Sequence, residues 1–143
     1  MIVYLDASAV VPILIAEPSS DSCRRVWRDA DRLVSSRLTV VEAGAALAMA
    51  KRQGRITADE EQKAWANFLR IWPEVDVVEL TADLAMAAAG LATSLELRAY
   101  DAVHCAAVAQ LRDPELVAVA GDVRLLNAWR SLGVAVVDTR PQV

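Results

Sequence analysis

The chain has 143 residues, a formal net charge of −4 and 55% hydrophobic residues. This length fits one domain, and the apolar content is enough for a core that needs neither disulfides nor a metal to fold. The acidic balance excludes a strongly basic protein that coats nucleic acid. No apolar stretch is long enough to span a bilayer, and no basic leader precedes the first apolar residues. We therefore expect a cytoplasmic protein without a signal peptide.

Short apolar runs of strand length alternate with longer amphipathic stretches along the chain. The runs predict strands at residues 2–5, 75–78, 116–120 and 134–137, with a weaker candidate at 33–34. Their continuous apolarity is typical of parallel strands covered on both faces. Helical patterns lie between them, at about residues 9–16, 20–30, 40–53, 58–71, 82–95, 101–112 and 123–132. This order predicts a single α/β domain over residues 1–143, a three-layer α/β/α sandwich around a mostly parallel sheet of about five strands.

Three threonines mark the expected starts of helices. Thr57 with Glu60, and Thr39 with Glu42, each fit the capping-box pattern, in which a threonine and an acid three residues later satisfy each other's backbone amides. Thr81 stands directly before a helical pattern and can cap it. The sequence therefore predicts that Glu42 closes a capping box, unless a functional role takes precedence.

Four carboxylates stand at the ends of predicted strands or the starts of predicted helices. Asp6 follows the first strand and has Ser8 two residues after it, Asp122 follows the apolar run at 116–120, and Glu42 and Asp101 open helices. Ligands of a doubly wound sheet bind outside the carboxyl ends of its strands, so the fold would bring these acids together. Taken singly, each residue could simply cap a helix. Taken together, the four acids would repel one another unless a cation neutralised them.

The chemistry of these ligands narrows the class of function. Oxygen ligands without a nearby histidine or cysteine cluster select a hard cation such as Mg²⁺ or Mn²⁺, and such ions activate water in phosphodiester hydrolysis. The sequence contains no dinucleotide-binding glycine motif, no P-loop and no nucleophile elbow. A phospho-receiver or a dehalogenase-type phosphatase would need a lysine near the site. The only lysines, Lys51 and Lys63, belong to the middle helices.

Four segments carry a resemblance to a known family. Residues 3–10, 36–43, 97–104 and 121–125 resemble, in order, the four acidic motifs of PIN-domain proteins. On this basis the chain is identified as a member of the VapC toxins of bacterial VapBC toxin–antitoxin modules. The resemblance implies a Mg²⁺- or Mn²⁺-dependent endoribonuclease that cleaves cellular RNA and inhibits translation. It also implies a homodimer and a cognate VapB-like antitoxin that holds the enzyme inactive.

The resemblance further implies roles for the residues of the site. The catalytic and metal-binding acids would be Asp6, Glu42, Asp101 and Asp122. Asp6 and Asp101 would be the direct ligands, and the other two acids would hold metal-bound water or a second ion. Ser8 would position a ligand or the phosphate, as an auxiliary to the acids.

Several features keep two interpretations open. Arg98 could contact RNA phosphate or pair with a neighbouring carboxylate. His104 could serve as a general base, although we favour a position packed beneath the site. Trp65, Phe68 and Trp72 recur at helical spacing, which favours one buried face over a base-stacking surface or an antitoxin groove. Two rivals to the whole interpretation are a non-catalytic PIN-like binding module whose acids only cap helices, and a metal-dependent phosphatase or DNA nuclease.

Overall fold

The computed structural model describes residues 1–142, and their order of strands and helices is the predicted one. The elements are β1 (Ile2–Leu5), α1 (Ala7–Leu14), α2 (Ser20–Asp29), β2 (Arg32–Ser36), α3 (Leu38–Arg52), α4 (Ala58–Ile71), β3 (Val75–Val78), α5 (Ala82–Ser94), α6 (Ala99–Leu111), β4 (Leu116–Ala120), α7 (Val123–Ser131) and β5 (Ala135–Asp138). A short 3₁₀ turn, Trp72–Glu74, joins α4 to β3. None of the helices in this described part is long and apolar enough to cross a membrane.

The five strands form one all-parallel sheet in the order β3-β2-β1-β4-β5. The central strand is β1, in which Ile2 lies opposite Arg32 of β2 on one side and Leu116 of β4 on the other. The chain builds outwards from β1 to β3 and then crosses over to β4, so the strand order reverses between β1 and β4. A doubly wound sheet binds its ligands at such a reversal. The predicted α/β fold is confirmed.

Each face of the sheet is covered by its own apolar layer. Successive strand residues point to opposite faces, so Val3 and Leu5 enter the layer beneath α1, α3 and α4, whereas Tyr4 enters the layer beneath α5, α6 and α7. Trp129 of α7 is completely buried in the second layer and is the largest fully buried side chain there. The result is the expected three-layer sandwich, with β1 buried on both faces.

The aromatic residues at the end of α4 form a packed stack. Phe68 is completely buried, and its ring lies between those of Trp65 and Trp72, with a centroid separation of 5.0 Å on each side. Both tryptophans are half-buried against the same apolar layer. This packing favours one helix face directed into the core over a platform that stacks on bases.

Two of the three predicted threonine caps are confirmed. The hydroxyl of Thr57 accepts from the backbone N–H of Glu60 at 3.1 Å, and the Glu60 carboxylate accepts from the backbone N–H of Thr57 at 3.0 Å. The hydroxyl of Thr81 accepts from the backbone N–H of Leu84 at 3.1 Å. These bonds satisfy amides that would otherwise lack partners at the starts of α4 and α5.

The predicted capping box at Thr39 is wrong. Helix α3 begins at Leu38, so Thr39 already lies inside the helix, where its buried hydroxyl is hydrogen-bonded to Ser35 Oγ at 2.8 Å. Ser36 supplies the turn before the helix instead, since its Oγ accepts from the backbone N–H of Leu38 at 3.1 Å. Glu42 is therefore not bound to the helix start, and its carboxylate is available for another partner.

Substitution of two glycines tests how the backbone conformation at each position affects stability. Gly90 lies within α5 and Gly54 follows α3 with φ at +72°, and a Cβ atom would meet no neighbour within 4 Å at either position. Gly90→Ala is expected to raise the free energy of unfolding by about 0.5–1 kcal/mol, because alanine favours helix. Gly54→Ala is expected to lower it by about 1 kcal/mol, because an L-residue is strained at positive φ. Urea denaturation of both variants checks the signs, and shifts in the same direction would contradict this account.

Candidate active site

The structure places the four predicted acids on four elements that meet at the carboxyl edge of the sheet. Asp6 directly follows β1, Glu42 lies in α3, Asp101 lies in the first turn of α6, and Asp122 directly precedes α7. Asp6 and Asp101 are buried, with exposed fractions of 5% and 1%, whereas Glu42 and Asp122 are partly exposed. Buried carboxylates are rare unless they are paired or bind a cation, so the partners of these acids matter.

Ser8 connects Asp6 to the loop that follows β4. The Ser8 hydroxyl donates to Asp6 Oδ1 at 2.7 Å and accepts from the backbone N–H of Gly121 at 2.7 Å. Asp6 occupies the N-cap position of α1, but its carboxylate forms no cap hydrogen bond, and the backbone N–H of Ser8 has only a minor effect on its pKa. Helix capping therefore does not explain Asp6, and Ser8 is a positioning residue that fixes this carboxylate at the reversal between β1 and β4.

Asp6 is a buried anion without a direct positive partner. Burial raises the pKa of Asp6 to about 6, the charge of His104 and the bond from Ser8 offset part of this rise, and the charge of Glu42 adds to it. Within residues 1–142, no basic side chain forms an ion pair with Asp6. A buried carboxylate in this state gains from any cation that reaches it.

His104 lies beneath the acids, as expected, and it holds one of them. Its Nε2–H donates to Glu42 Oε1 at 2.6 Å, while its Nδ1 lies 2.7 Å from the Tyr4 hydroxyl oxygen. Burial lowers the pKa of His104, but the bond to Glu42 and the charges of Asp6, Glu42 and Asp101 outweigh this effect and raise the pKa above its usual value. With 1% of its surface exposed, His104 orients Glu42 from below and does not face the solvent.

Tyr4 is a part of this arrangement that the sequence analysis missed. Its ring packs edge-on against both His104 and Trp129, with centroid separations of 5.8 Å, and its hydroxyl meets His104. The sequence did contain a signal, because a tyrosine in an otherwise aliphatic buried strand needs a partner for its hydroxyl. That partner, His104, is 100 residues away along the chain, so the pairing itself could not be predicted.

Arg98 pairs with two of the predicted acids at once. Its Nε donates to Asp101 Oδ2 at 2.9 Å, and its Nη2 donates to Asp122 Oδ2 at 3.2 Å. The guanidinium carbon also lies 4.6 Å from the centre of the Tyr100 ring, in a cation–π contact. Of the two interpretations of Arg98, the structure favours pairing with carboxylates.

Helix capping accounts for one carboxylate oxygen of Asp122, but it does not account for Asp101. Asp122 Oδ1 accepts from the backbone N–H groups of Arg124 at 2.9 Å and Leu125 at 3.3 Å, which caps α7. Its other carboxylate oxygen remains available and meets Arg98. Asp101 lies in the first turn of α6, three residues after the N-cap residue Arg98. Its carboxylate pairs with that arginine.

As they stand, the four acids do not form a closed coordination site. Within residues 1–142, no three aspartate, glutamate, histidine or cysteine side chains lie close enough to share one metal ion. Each acid has a partner from the chain itself: Ser8 for Asp6, His104 for Glu42, and Arg98 for Asp101 and Asp122. Among these partners Arg98 carries the permanent positive charge, so it is the one that would compete with a cation for Asp101 and Asp122.

Two open clefts flank the acids. One, of about 460 Å³, is lined among others by Ser8, Glu42, Gly121 and Arg140. The other, of about 510 Å³, is lined among others by Arg98, Asp101, Arg124 and Asn127. Each cleft thus places arginine side chains beside the acids. Arg140 is paired with Asp138, whereas Arg124 forms no ion pair within residues 1–142 and suits a phosphate group.

Comparisons with known proteins identify the class to which this fold and site belong. A model of the PIN domain family matches residues 3–127, so the chain belongs to the PIN-domain family. Ribonuclease VapC45 of Mycobacterium tuberculosis (strain CDC 1551 / Oshkosh) is 38% identical to the chain over 135 residues, which cover 94% of each protein. Within the family, the chain therefore groups with the VapC proteins.

Solved structures share the fold at lower identity. The crystal structure of VapC20 from Mycobacterium tuberculosis, described as a sarcin–ricin loop cleaving toxin, gives a TM-score of 0.69 at 19% identity and covers 97% of this chain and 99% of that one. The DNA-bound VapBC structure from Salmonella typhimurium gives a TM-score of 0.67 at 15% identity, with 97% and 98% covered. At such identities the likeness establishes the common fold.

Proposed function

We propose that this chain is a metal-dependent endoribonuclease toxin of a type II toxin–antitoxin module, which hydrolyses cellular RNA and thereby inhibits translation. The observation that carries the proposal is the convergence of Asp6, Glu42, Asp101 and Asp122 at one edge of the sheet, with an arginine guanidinium lying between two of them. Relatives that match almost the whole chain are named ribonucleases, and this supports the proposal. The active unit is the single domain of residues 1–143.

The residues present fit a hard divalent cation. All four donors are carboxylates, and a positive group, the guanidinium of Arg98, already stands between Asp101 and Asp122. We propose Mg²⁺ or Mn²⁺ as the cofactor, held directly by Asp6 and Asp101, with Glu42 and Asp122 holding metal-bound water or a second ion. When bound, such an ion supplies an activated water and neutralises charge on the scissile phosphate.

The chain's own residues position these ligands. Ser8 fixes the Asp6 carboxylate through a bond that the Gly121 amide supports from the other side. His104 holds Glu42 from the buried side, and Glu42 lines the first cleft. Such outer partners keep ligands in orientation and commonly affect metal affinity or activity about 10–100-fold. In this proposal no histidine base is required, and the products carry a 5′-phosphate and a 3′-hydroxyl.

We further propose a homodimer and a cognate VapB-like antitoxin as partners in the cytoplasm. A small apolar depression between α3 and α4, lined by Gly44, Leu47 and Trp65, offers one place for an apolar side chain of such a partner. A Cβ atom at Gly44 would lie 3.6 Å from the Trp65 ring, in ordinary van der Waals contact, so the wall of the depression at this point is backbone alone. The one charged residue that lines the depression, Glu61, is already paired with Lys51 at 2.8 Å, so the contact offered to a partner is mainly apolar.

RNA cleavage in the presence and absence of metal tests the proposed activity. The purified protein is expected to cleave total bacterial RNA with Mg²⁺ or Mn²⁺ and to lose cleavage in EDTA, and 5′-end labelling is expected to detect new 5′-phosphates. Cleavage that persists in EDTA would contradict the metal mechanism. Absence of both cleavage and metal-induced thermal stabilisation would favour the binding module. Hydrolysis of p-nitrophenyl phosphate or of single-stranded DNA in place of RNA would favour the phosphatase or DNA nuclease.

A further inference from the structure

Arg98 differs from the other partners of the acids in its charge and in its freedom to move. Ser8 is neutral, and His104 has only 1% of its surface exposed and lies within the core beneath Glu42. The Arg98 side chain is always charged and is 40% exposed. It can therefore leave its carboxylates by rotating about its own bonds, without any change in the packing of the core.

The guanidinium also blocks the acids that it contacts. Its two donors engage Oδ2 of Asp101 and Oδ2 of Asp122, and the second oxygen of Asp122 is already occupied by the backbone amides of α7. A divalent ion that approaches Asp101 from the Asp122 side must therefore compete with a cation that is tethered to the chain. The Tyr100 ring, whose centre is 4.6 Å from the guanidinium carbon, provides a surface on which the displaced group can remain.

We propose that Arg98 is an internal counter-cation, which neutralises Asp101 and Asp122 in the metal-free protein and must be displaced from them when the divalent ion binds. This inference rests on the proposed function, because it concerns the ion of that same site. It assigns Arg98 two opposing effects: the residue stabilises the metal-free fold by relieving repulsion between acids, and it weakens metal binding by occupying their oxygens. A residue that served only to contact RNA would have neither effect.

Titration of Mn²⁺ into the RNA-free protein by calorimetry tests the proposal without an activity readout. Arg98→Gln is expected to bind Mn²⁺ about five- to tenfold more tightly than the wild type, because two partly exposed ion pairs no longer compete. The matched control is Arg124→Gln, since Arg124 lines the same cleft but forms no ion pair with any residue in 1–142. This control carries the same loss of charge, and we expect less than a twofold change in its affinity.

Thermal denaturation supplies a second readout. Without metal, Arg98→Gln is expected to melt at a lower temperature than Arg124→Gln, and saturating Mn²⁺ is expected to remove this difference. If Arg98→Gln does not fold, Arg98→Lys is measured in its place. Lysine keeps the charge but lacks the forked guanidinium that engages two carboxylates. Its affinity for Mn²⁺ is then expected to exceed that of the wild type by about twofold to threefold.

The possible failures are distinguishable. If the wild type binds Mn²⁺ and Arg98→Gln, or Arg98→Lys in its place, binds it no more tightly than Arg124→Gln, the counter-cation role is overturned while the proposed metal site stands. If neither the wild type nor any folded variant binds Mn²⁺ or Mg²⁺, the proposed function fails and the inference fails with it. Tighter binding confined to the Arg98 variants supports both.

Discussion

Asp6→Asn is expected to make the metal-free protein more stable at pH 8 by about 2 kcal/mol. The buried Asp6 carboxylate has a pKa of about 6, compared with an ordinary value of 3.8, so keeping it ionised above pH 6 costs about 3 kcal/mol of folding free energy. Asparagine removes the charge and still accepts the hydrogen bond from Ser8. Burial of the amide N–H₂ group cancels part of the gain.

The stability that Asp6→Asn gains over the wild type increases with pH. Because the pKa of Asp6 is raised in the folded state, the wild type loses stability as the pH rises from about 4 to about 6, where the unfolded chain ionises before the folded one. The advantage of Asp6→Asn is therefore largest above pH 6 and disappears towards pH 4. Urea denaturation of both proteins in EDTA at pH 4, 6 and 8 measures it. The control is Asp83→Asn, which removes an exposed carboxylate outside the site.

The same substitution is expected to lower metal-dependent RNA cleavage by about a thousandfold or more. Replacement of outer partners of metal ligands commonly costs 10–100-fold, and Asp6 is proposed as a ligand itself. A gain in stability together with a loss of activity is typical of a residue whose charge serves function rather than folding. An Asp6→Asn protein with full cleavage activity would remove Asp6 from the site.

Asp101→Asn is expected to lower cleavage to a similar extent but to change stability in the opposite direction. Unlike Asp6, Asp101 has a charged partner, since Arg98 Nε donates to its carboxylate at 2.9 Å. Asparagine leaves Arg98 with only Asp122 as an ionic partner, so we expect a loss of up to about 1 kcal/mol, limited because the arginine is partly exposed. This differs from the simpler expectation that removing either acid relieves repulsion.

Parallel measurements on the two asparagine variants separate these effects. Unfolding in EDTA at pH 8 gives the stability of each variant, and cleavage of the same RNA at saturating Mn²⁺ gives its activity, with Asp83→Asn as the common control. Equal stability changes for Asp6→Asn and Asp101→Asn would show that the Arg98 pair does not contribute as argued. Retention of cleavage by Asp101→Asn would leave the third motif without a catalytic role.

Most of the fold could be predicted from the chain, because its signals are local. Strands such as β1 and β4 are continuous apolar runs, and the starts of α4 and α5 carry their threonine caps. The weakest prediction, β2, includes Ser35 and Ser36, which interrupt the apolar pattern. Both serines are buried, and Ser35 Oγ donates to the backbone carbonyl of Leu5 at 2.5 Å, so a polar residue is satisfied inside the sheet.

The positions of the four acids and their local partners, Ser8 and Arg98, were predictable, but the partners that lie far away along the chain were not. Asp6 and Asp122 follow strands that the sequence shows clearly, and the order of a doubly wound sheet brings such ends together. The contact of Glu42 with His104 spans 62 residues, and that of Arg98 with Asp122 spans 24. Such pairings depend on how helices pack over the sheet, which no local pattern encodes. For this reason the capping box at Glu42 was predicted where the structure has a buried histidine contact.

The distribution of the acids along the chain affects when the site can form during synthesis. The central strand β1 obtains its second neighbour, β4, only at Leu116–Ala120, and Asp122 follows that strand. A chain that ends before this point contains only β1, β2 and β3, and it lacks Asp122, the fourth acid. The four acids therefore cannot assemble until synthesis has passed Asp122. Products that end before Asp122 are expected to be inert, so ribonuclease activity would begin only after β4 and the fourth acid have joined the sheet.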